Sequence, residues 1–264
     1  MGVIMNRVLV KDQRGQPYHR SFAPRMGVPL KRIQVYTECQ LMAQVPPGKI
    51  RLYKFLSENK PSRINAILRN NEVHCDRYAN FNDLLEGNRF DSSNVIGGVA
   101  AWLPIQDSLR VSCFTEDPLT MLLWSYYTQG FRGVCVAIDI PDSYLTSSGD
   151  VRLVKVEYLP NVSFTPLPPN PTEAAFDSLT RKFDIWKHER EYRIIAKESA
   201  LKNGAFFADM QCVAIACGSR MDPIRVQRLR KLGNQLGIRY ELVLPNANDP
   251  RVIITPPYTV VPKP

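Results

Sequence analysis

The sequence predicts an α+β fold of mixed, mostly antiparallel sheets with interspersed helices, and three observations predict it. Short apolar runs of strand length recur along most of the chain, and Val151-Arg152-Leu153-Val154-Lys155-Val156-Glu157-Tyr158 alternates with period two. Helical spacing of apolar residues is confined to a few stretches between those runs. The two patterns do not alternate strictly, as a parallel sheet with crossover helices would require. The chain has 264 residues, 44% of them hydrophobic, which is enough for a substantial core.

Residues 1–48 read as a basic, loop-rich N-terminal arm. Val8-Leu9-Val10 and Ile33-Gln34-Val35-Tyr36 are short strand candidates, separated by Gly15, Pro17, Pro24, Gly27 and Pro29. Pro46-Pro47-Gly48 marks a boundary, after which residues 49–255 read as a single α+β domain. Residues 50–55 form a strand, and Pro61 opens a helix over 61–68. A short strand is expected at 72–75, then a turn and a short helix or loop at 81–87. Residues 110–115 form a strand, and Asp117-Pro118 starts a helix over 119–127. Strands follow at 133–140 and 151–158. Pro160, Pro166, Pro168, Pro169 and Pro171 mark a surface loop. A helix is expected over 172–188, where Phe176, Leu179, Phe183 and Trp186 recur at helical spacing and would be buried. Residues 191–196 and 211–217 are strands. Asp222-Pro223 caps a basic helix through Leu232, with Ile224, Leu229 and Leu232 facing inward. Strands at 238–244 and 251–255 precede a proline-rich tail, 256–264.

Composition excludes several classes. No apolar run approaches the length of a membrane span, and the first residues lack the apolar core of a secretory signal, so a cytoplasmic protein with no membrane partner is expected. Cys39, Cys75, Cys113, Cys135, Cys212 and Cys217 include no C-x-x-C pair and mostly sit in apolar runs, which points to buried free thiols. His19, His74 and His188 lie far apart, without the spacing of a zinc site, so no metal is expected. The net charge of +9 is uneven. Residues 1–50 set their Lys and Arg against only Asp12 and Glu38, and Arg220, Arg225, Arg228, Arg230 and Lys231 form a second cluster. Such fields attract polyanions, which makes Arg225, Arg228 and Lys231 candidate contacts for nucleic acid.

The most chemically loaded stretch is Trp186-Lys187-His188-Glu189-Arg190-Glu191-Tyr192-Arg193. Side chains two apart on a strand share a side, so Glu189 and Glu191 can reach one site with Arg190 turned away. Two close carboxylates can divide labour, one staying ionised while the other handles a proton. The structural alternative is a charged strand start in which these Glu residues pair with Arg190 or Arg193.

Six boxes carry a resemblance. They are Leu52-Tyr53-Lys54-Phe55, Phe81-Asn82-Asp83-Leu84-Leu85-Glu86, Cys113-Phe114-Thr115-Glu116, Leu123-Trp124-Ser125-Tyr126-Tyr127, Gly133-Val134-Cys135 and Trp186 through Arg193. In order and spacing, residues 49–244 resemble the bacterial family known as domain of unknown function 2971. The chain departs from that pattern at Leu56, Leu84 and Tyr126, where the family often has Arg, Pro and His. The family in turn distantly resembles the ADP-ribosyltransferase superfamily. That resemblance implies an ADP-ribosyltransferase-like fold and transfer of ADP-ribose from NAD, as substrate, to a macromolecular acceptor, nucleic acid among the options, in antiphage defence or as a toxin. It implies Glu191 as the carboxylate on the ribose and Glu189 acting on the acceptor. Arg51 would meet the phosphates, Ser112 and Thr115 would supply hydroxyls, and Tyr53 or Trp124 would stack on nicotinamide. The competing class is a non-enzymatic nucleic-acid-binding or sensor module.

Overall fold

The computed structural model describes residues 10–11, 17–18, 41, 43–81, 93–145, 149–161, 166–206, 210–246 and 248–255. The chain divides into two units, Met1–Val35 and Tyr36–Pro264. In the first, β1 (Val10–Lys11) pairs antiparallel with β2 (Pro17–Tyr18). The expected strand at 33–36 and the turn at 82–87 lie outside the described residues.

The second unit contains β3 (Lys49–Ser57), α1 (Pro61–Asn70), β4 (Val73–His74), α2 (Val99–Ser108), β5 (Leu109–Thr115) and α3 (Met121–Tyr127). It continues through β6 (Gly133–Pro141), β7 (Val151–Lys155), β8 (Glu157–Leu159), α4 (Pro171–Asp177), β9 (Arg181–Phe183) and β10 (Glu191–Lys197). It ends with β11 (Ala205–Phe206), β12 (Gln211–Gly218), α5 (Pro223–Leu236), β13 (Arg239–Leu244) and β14 (Ile253–Thr255). An eight-stranded sheet runs in the order β14-β13-β12-β6-β3-β5-β10-β7. Its pairs are antiparallel except β12 with β13, which α5 joins as a crossover. The α+β expectation therefore holds, with a mostly antiparallel sheet.

The sheet is buried on both faces at its centre. Gly133 opens β6 where a side chain would meet the Leu56 carbonyl oxygen at 2.2 Å, and the strand that follows is buried from Gly133 through Ile140. On one face Leu52, Leu56, Val134, Val136, Ile138 and Ile215 pack with α1 and α5 residues. On the other, Tyr53, Cys135, Ala137, Ala214 and Val243 pack with Trp124 of α3. A further cluster joins Leu109, Val111 and Ile195 to Ala175, Phe176 and Leu179.

Several elements differ from the sequence reading. The helix expected over 172–188 stops at Asp177. Ser178 and Thr180 turn their hydroxyls onto the Ala175 and Asp177 carbonyls, the competition with the backbone that ends helices. Arg181–Phe183 then pairs parallel with Glu157–Leu159, and 3-10 turns carry the chain from Asp184 to Glu189. Phe176 and Leu179 are buried as expected, whereas Phe183 and Trp186 are half-buried. The strand expected over 151–158 is two strands, β7 and β8. Met121, not Leu119, starts α3, because Asp117 Oδ1 accepts from the Leu119 backbone N–H in the turn before it. Asp222 caps α5 at the Ile224 and Arg225 N–H groups, but Ile224 is 60% exposed and does not face inward. Helix α2, with Pro104 inside it, was not foreseen.

Candidate active site

The chain reaches the site by a turn at Arg190. The 3-10 segment ends there in the left-handed conformation, φ 45°, and β10 begins at the next residue. This turn, rather than strand alternation, brings Glu189 and Glu191 together. Arg190 points away as expected, its Nε 2.7 Å from Glu116 Oε1.

Both carboxylates are buried and held by cations. Lys182 Nζ donates to Glu189 Oε2 at 2.6 Å and to Glu191 Oε2 at 3.3 Å. Arg193, with no exposed surface, closes its fork on Glu191 at 2.8 and 2.9 Å and donates from Nη1 to the Leu179 carbonyl at 2.7 Å. Tyr127 donates its hydroxyl to Glu189 Oε1 at 2.5 Å. A carboxylate has about four acceptor positions, and Arg193 and Lys182 take three of those of Glu191. Glu189 receives Tyr127 and Lys182 and keeps acceptor capacity on both oxygens. The formal charges of Lys182 and Arg193 cancel those of the two Glu residues.

Titration follows from burial and these neighbours. Burial raises the Glu191 carboxyl, Lys182 pulls it down and Glu189 pushes it up again; the net direction is upward. Lys182 is opposed by burial, but the charges of Glu191 and Glu189 win and raise its pKa, so it stays protonated. Burial, then the Glu189 charge, raises the Tyr127 hydroxyl, which therefore remains a donor. Burial lifts the Cys113 thiol well above its ordinary value, so it is a poor nucleophile.

Sheet register sets the carboxylates beside a pocket. Tyr53 lies opposite Thr115, and Thr115 opposite Glu191, a row across β3, β5 and β10 on one face. Tyr53–Thr115 is the one residue pair between β3 and β5. The strands diverge from it, and a pocket of about 320 Å³ opens in the split. Glu189, Glu191, Lys182, Tyr127 and Thr115 line it with Lys54, Phe81, Phe114 and the 56%-exposed Tyr126. Its polar groups converge within an aromatic wall, the composition of a small-molecule site, at the low end of the usual volume range.

The residues expected at one site separate here. Glu189, Glu191, Tyr53 and Thr115 line the pocket, although the Tyr53 hydroxyl donates to the Leu41 carbonyl at 2.6 Å. Three others do not line it. Arg51 is paired bidentately with Asp139 at 2.6 and 2.9 Å and bonds the Ala43 carbonyl, which engages its guanidinium away from the pocket lining. Ser112 is buried, its hydroxyl accepting from Lys54. Trp124 is fully buried, donates its indole N–H to the Pro118 carbonyl and lies between Phe55 and Phe131. His188 sits against the Ile185 carbonyl outside the lining. On α5, Arg225 is tied to the Glu58 carbonyl at 2.6 Å, while Arg228 and Lys231 are exposed around a shallow hollow with Gln227 and Asn234. Sequence reasoning gave no role to Lys182, Tyr127 or Lys54. Lys182 was hidden by the helix assigned over it; Tyr127 and Lys54 stood only inside the resemblance boxes.

Among the described residues, no group of three His, Cys, Asp or Glu could hold a metal ion, and no helix is long and apolar enough to cross a membrane. Scanned against family models, curated proteins and solved structures, the chain matches none.

Proposed function

We propose that the pocket cleaves the N-glycosidic bond of NAD and passes ADP-ribose to an acceptor, in an ADP-ribosyltransferase-like fold. The observation that supports this reading is the convergence of Glu189 and Glu191 on Lys182 beside Thr115, in a pocket with aromatic walls. In the proposed reaction the bond between ribose C1′ and the nicotinamide nitrogen breaks with its electron pair leaving on nicotinamide. The ribose gains oxocarbenium character, which a fixed carboxylate in a water-poor pocket stabilises strongly. The acceptor nucleophile then bonds to C1′ and gives up its proton.

The acceptor capacities divide the work. Glu191, held by the Arg193 fork and by Lys182, fixes Lys182 and adds negative potential. Glu189 has positions left for a ribose hydroxyl or for the departing proton. At about 320 Å³ the pocket suits the nicotinamide-ribose end of NAD, with the remainder directed outward. With Arg51 committed to Asp139, the phosphates need another cation.

Calorimetry with NAD, paired with hydrogen exchange, tests the reading. The expected result is saturable one-to-one binding, with added protection at residues 112–115 and 189–192. Absence of both binding heat and local protection would reject NAD as the ligand.

A further inference from the structure

We propose that Lys54 is a reactive amine that forms an imine with the carbonyl group of a pocket ligand, an aldehyde or ketone. The inference goes beyond NAD cleavage and does not depend on it.

Lys54 is half-buried and lines the pocket on the wall across the β3–β5 split. Its Nζ donates to Ser112 Oγ at 2.8 Å and to the Cys113 carbonyl at 3.0 Å, and lies 4.9 Å from the centre of the Phe114 ring. Among the described residues no carboxylate lies within ion-pair distance of it. Lys182, in contrast, is held between two. This difference decides which lysine is nucleophilic. An ammonium has three N–H groups to satisfy, whereas a neutral amine has two and a lone pair. Two fixed oxygen acceptors and no anion match the needs of the neutral amine, whose lone pair would take the remaining tetrahedral position, on a nitrogen that otherwise meets the Phe114 ring. Burial lowers the Lys54 pKa, Cys113 and Cys75 oppose it, and the Arg63 and Lys60 charges add to the lowering; the net direction is downward, which enlarges the neutral fraction.

The chemistry balances without an oxidant. The amine nitrogen attacks the carbonyl carbon, a C–N bond forms, and the carbinolamine loses its oxygen as water to leave the imine. Borohydride reagents supply a hydride to that imine and convert it to a stable secondary amine.

The wild-type protein is incubated with propanal and cyanoborohydride at neutral pH, and labelled lysines are located over time by peptide mass spectrometry. Lys54 is expected to be alkylated about tenfold faster than the exposed Lys60 and Lys187, as a desolvated amine should be. Lys54→Arg, which keeps donors for both acceptors, should remove the fast phase and leave Lys60 and Lys187 labelling unchanged. Lys54 labelling no faster than that of the exposed lysines would overturn the proposal. So would a fast phase that survives in Lys54→Arg. Lys54 would then be only a brace between β3 and β5.

Discussion

Arg193 is buried without any exposed surface, and its fork holds a carboxylate two residues earlier on the same strand. Such a pair adds little stability compared with an apolar pair of the same size, but removing one partner leaves an uncompensated charge in the interior. Glu191→Gln keeps the shape and removes the negative charge, leaving Arg193 and Lys182 opposite Glu189 alone. The expected loss is about 3–5 kcal/mol in urea unfolding at neutral pH. A loss below about 1 kcal/mol would mean that water reaches the pair. The pairing of Glu191 with Arg193 was legible in the sequence as the structural alternative to catalysis, and the site uses it. What the sequence hid was Lys182, because local spacing gives no view of a cation brought in by a strand eight residues upstream of Arg190.

At the scale of elements, α4 is tied to β7 by Arg152, whose guanidinium holds both oxygens of Glu173 at 2.7 and 2.8 Å. These hydrogen bonds hold the Glu173 carboxyl below its ordinary value of 4.5. A folded pKa below the unfolded one means a contribution that is full above the unfolded value and lost as pH falls through the folded one. Glu173→Gln should therefore destabilise the protein at pH 7, within about 1 kcal/mol for so exposed a partner, read as a lower melting temperature whose gap to wild type closes on acidification. A gap that persists at acid pH would assign the loss to packing. Helix α5 presents Arg228 and Lys231 to solvent. If that face meets nucleic acid, Arg228→Ala with Lys231→Ala should reduce the slope of log affinity against log salt by about two. No salt-dependent binding by the wild type would leave the face as solvating charge. The starts of α1 and α5 were readable from Pro61 and Asp222-Pro223 because a proline or a short acceptor acts within one turn. The end of α4 was not, because Ser178 and Thr180 decide it through backbone bonds while Phe176 and Leu179 keep a helical rhythm.

Across the whole molecule, the eight-stranded sheet is continuous except where β3 and β5 share the single pair Tyr53–Thr115, and the pocket occupies that break. Most strands could be read from apolar runs, since β3, β5, β6, β10 and β12 each bury their centre. Their order could not, because pairing partners lie far apart in sequence, as Arg193 opposite Cys113 does. Arg51 shows the consequence. It stands two residues before pocket-lining Tyr53, yet the neighbouring strand β6 places Asp139 opposite it and takes up its guanidinium. In the proposed function this break is a catalytic pocket in which Glu189 faces the reacting ribose. Its most direct test is nicotinamide release from NAD, followed by chromatography, for the wild type, Glu189→Gln and Glu173→Gln, each with protein, DNA and RNA acceptors. The expected result is release by the wild type with at least one acceptor, a loss of about a hundredfold or more in Glu189→Gln, and near-wild-type release by Glu173→Gln, whose partner is Arg152 outside the pocket lining. No release by the wild type with any acceptor, or equal release by Glu189→Gln, would contradict it.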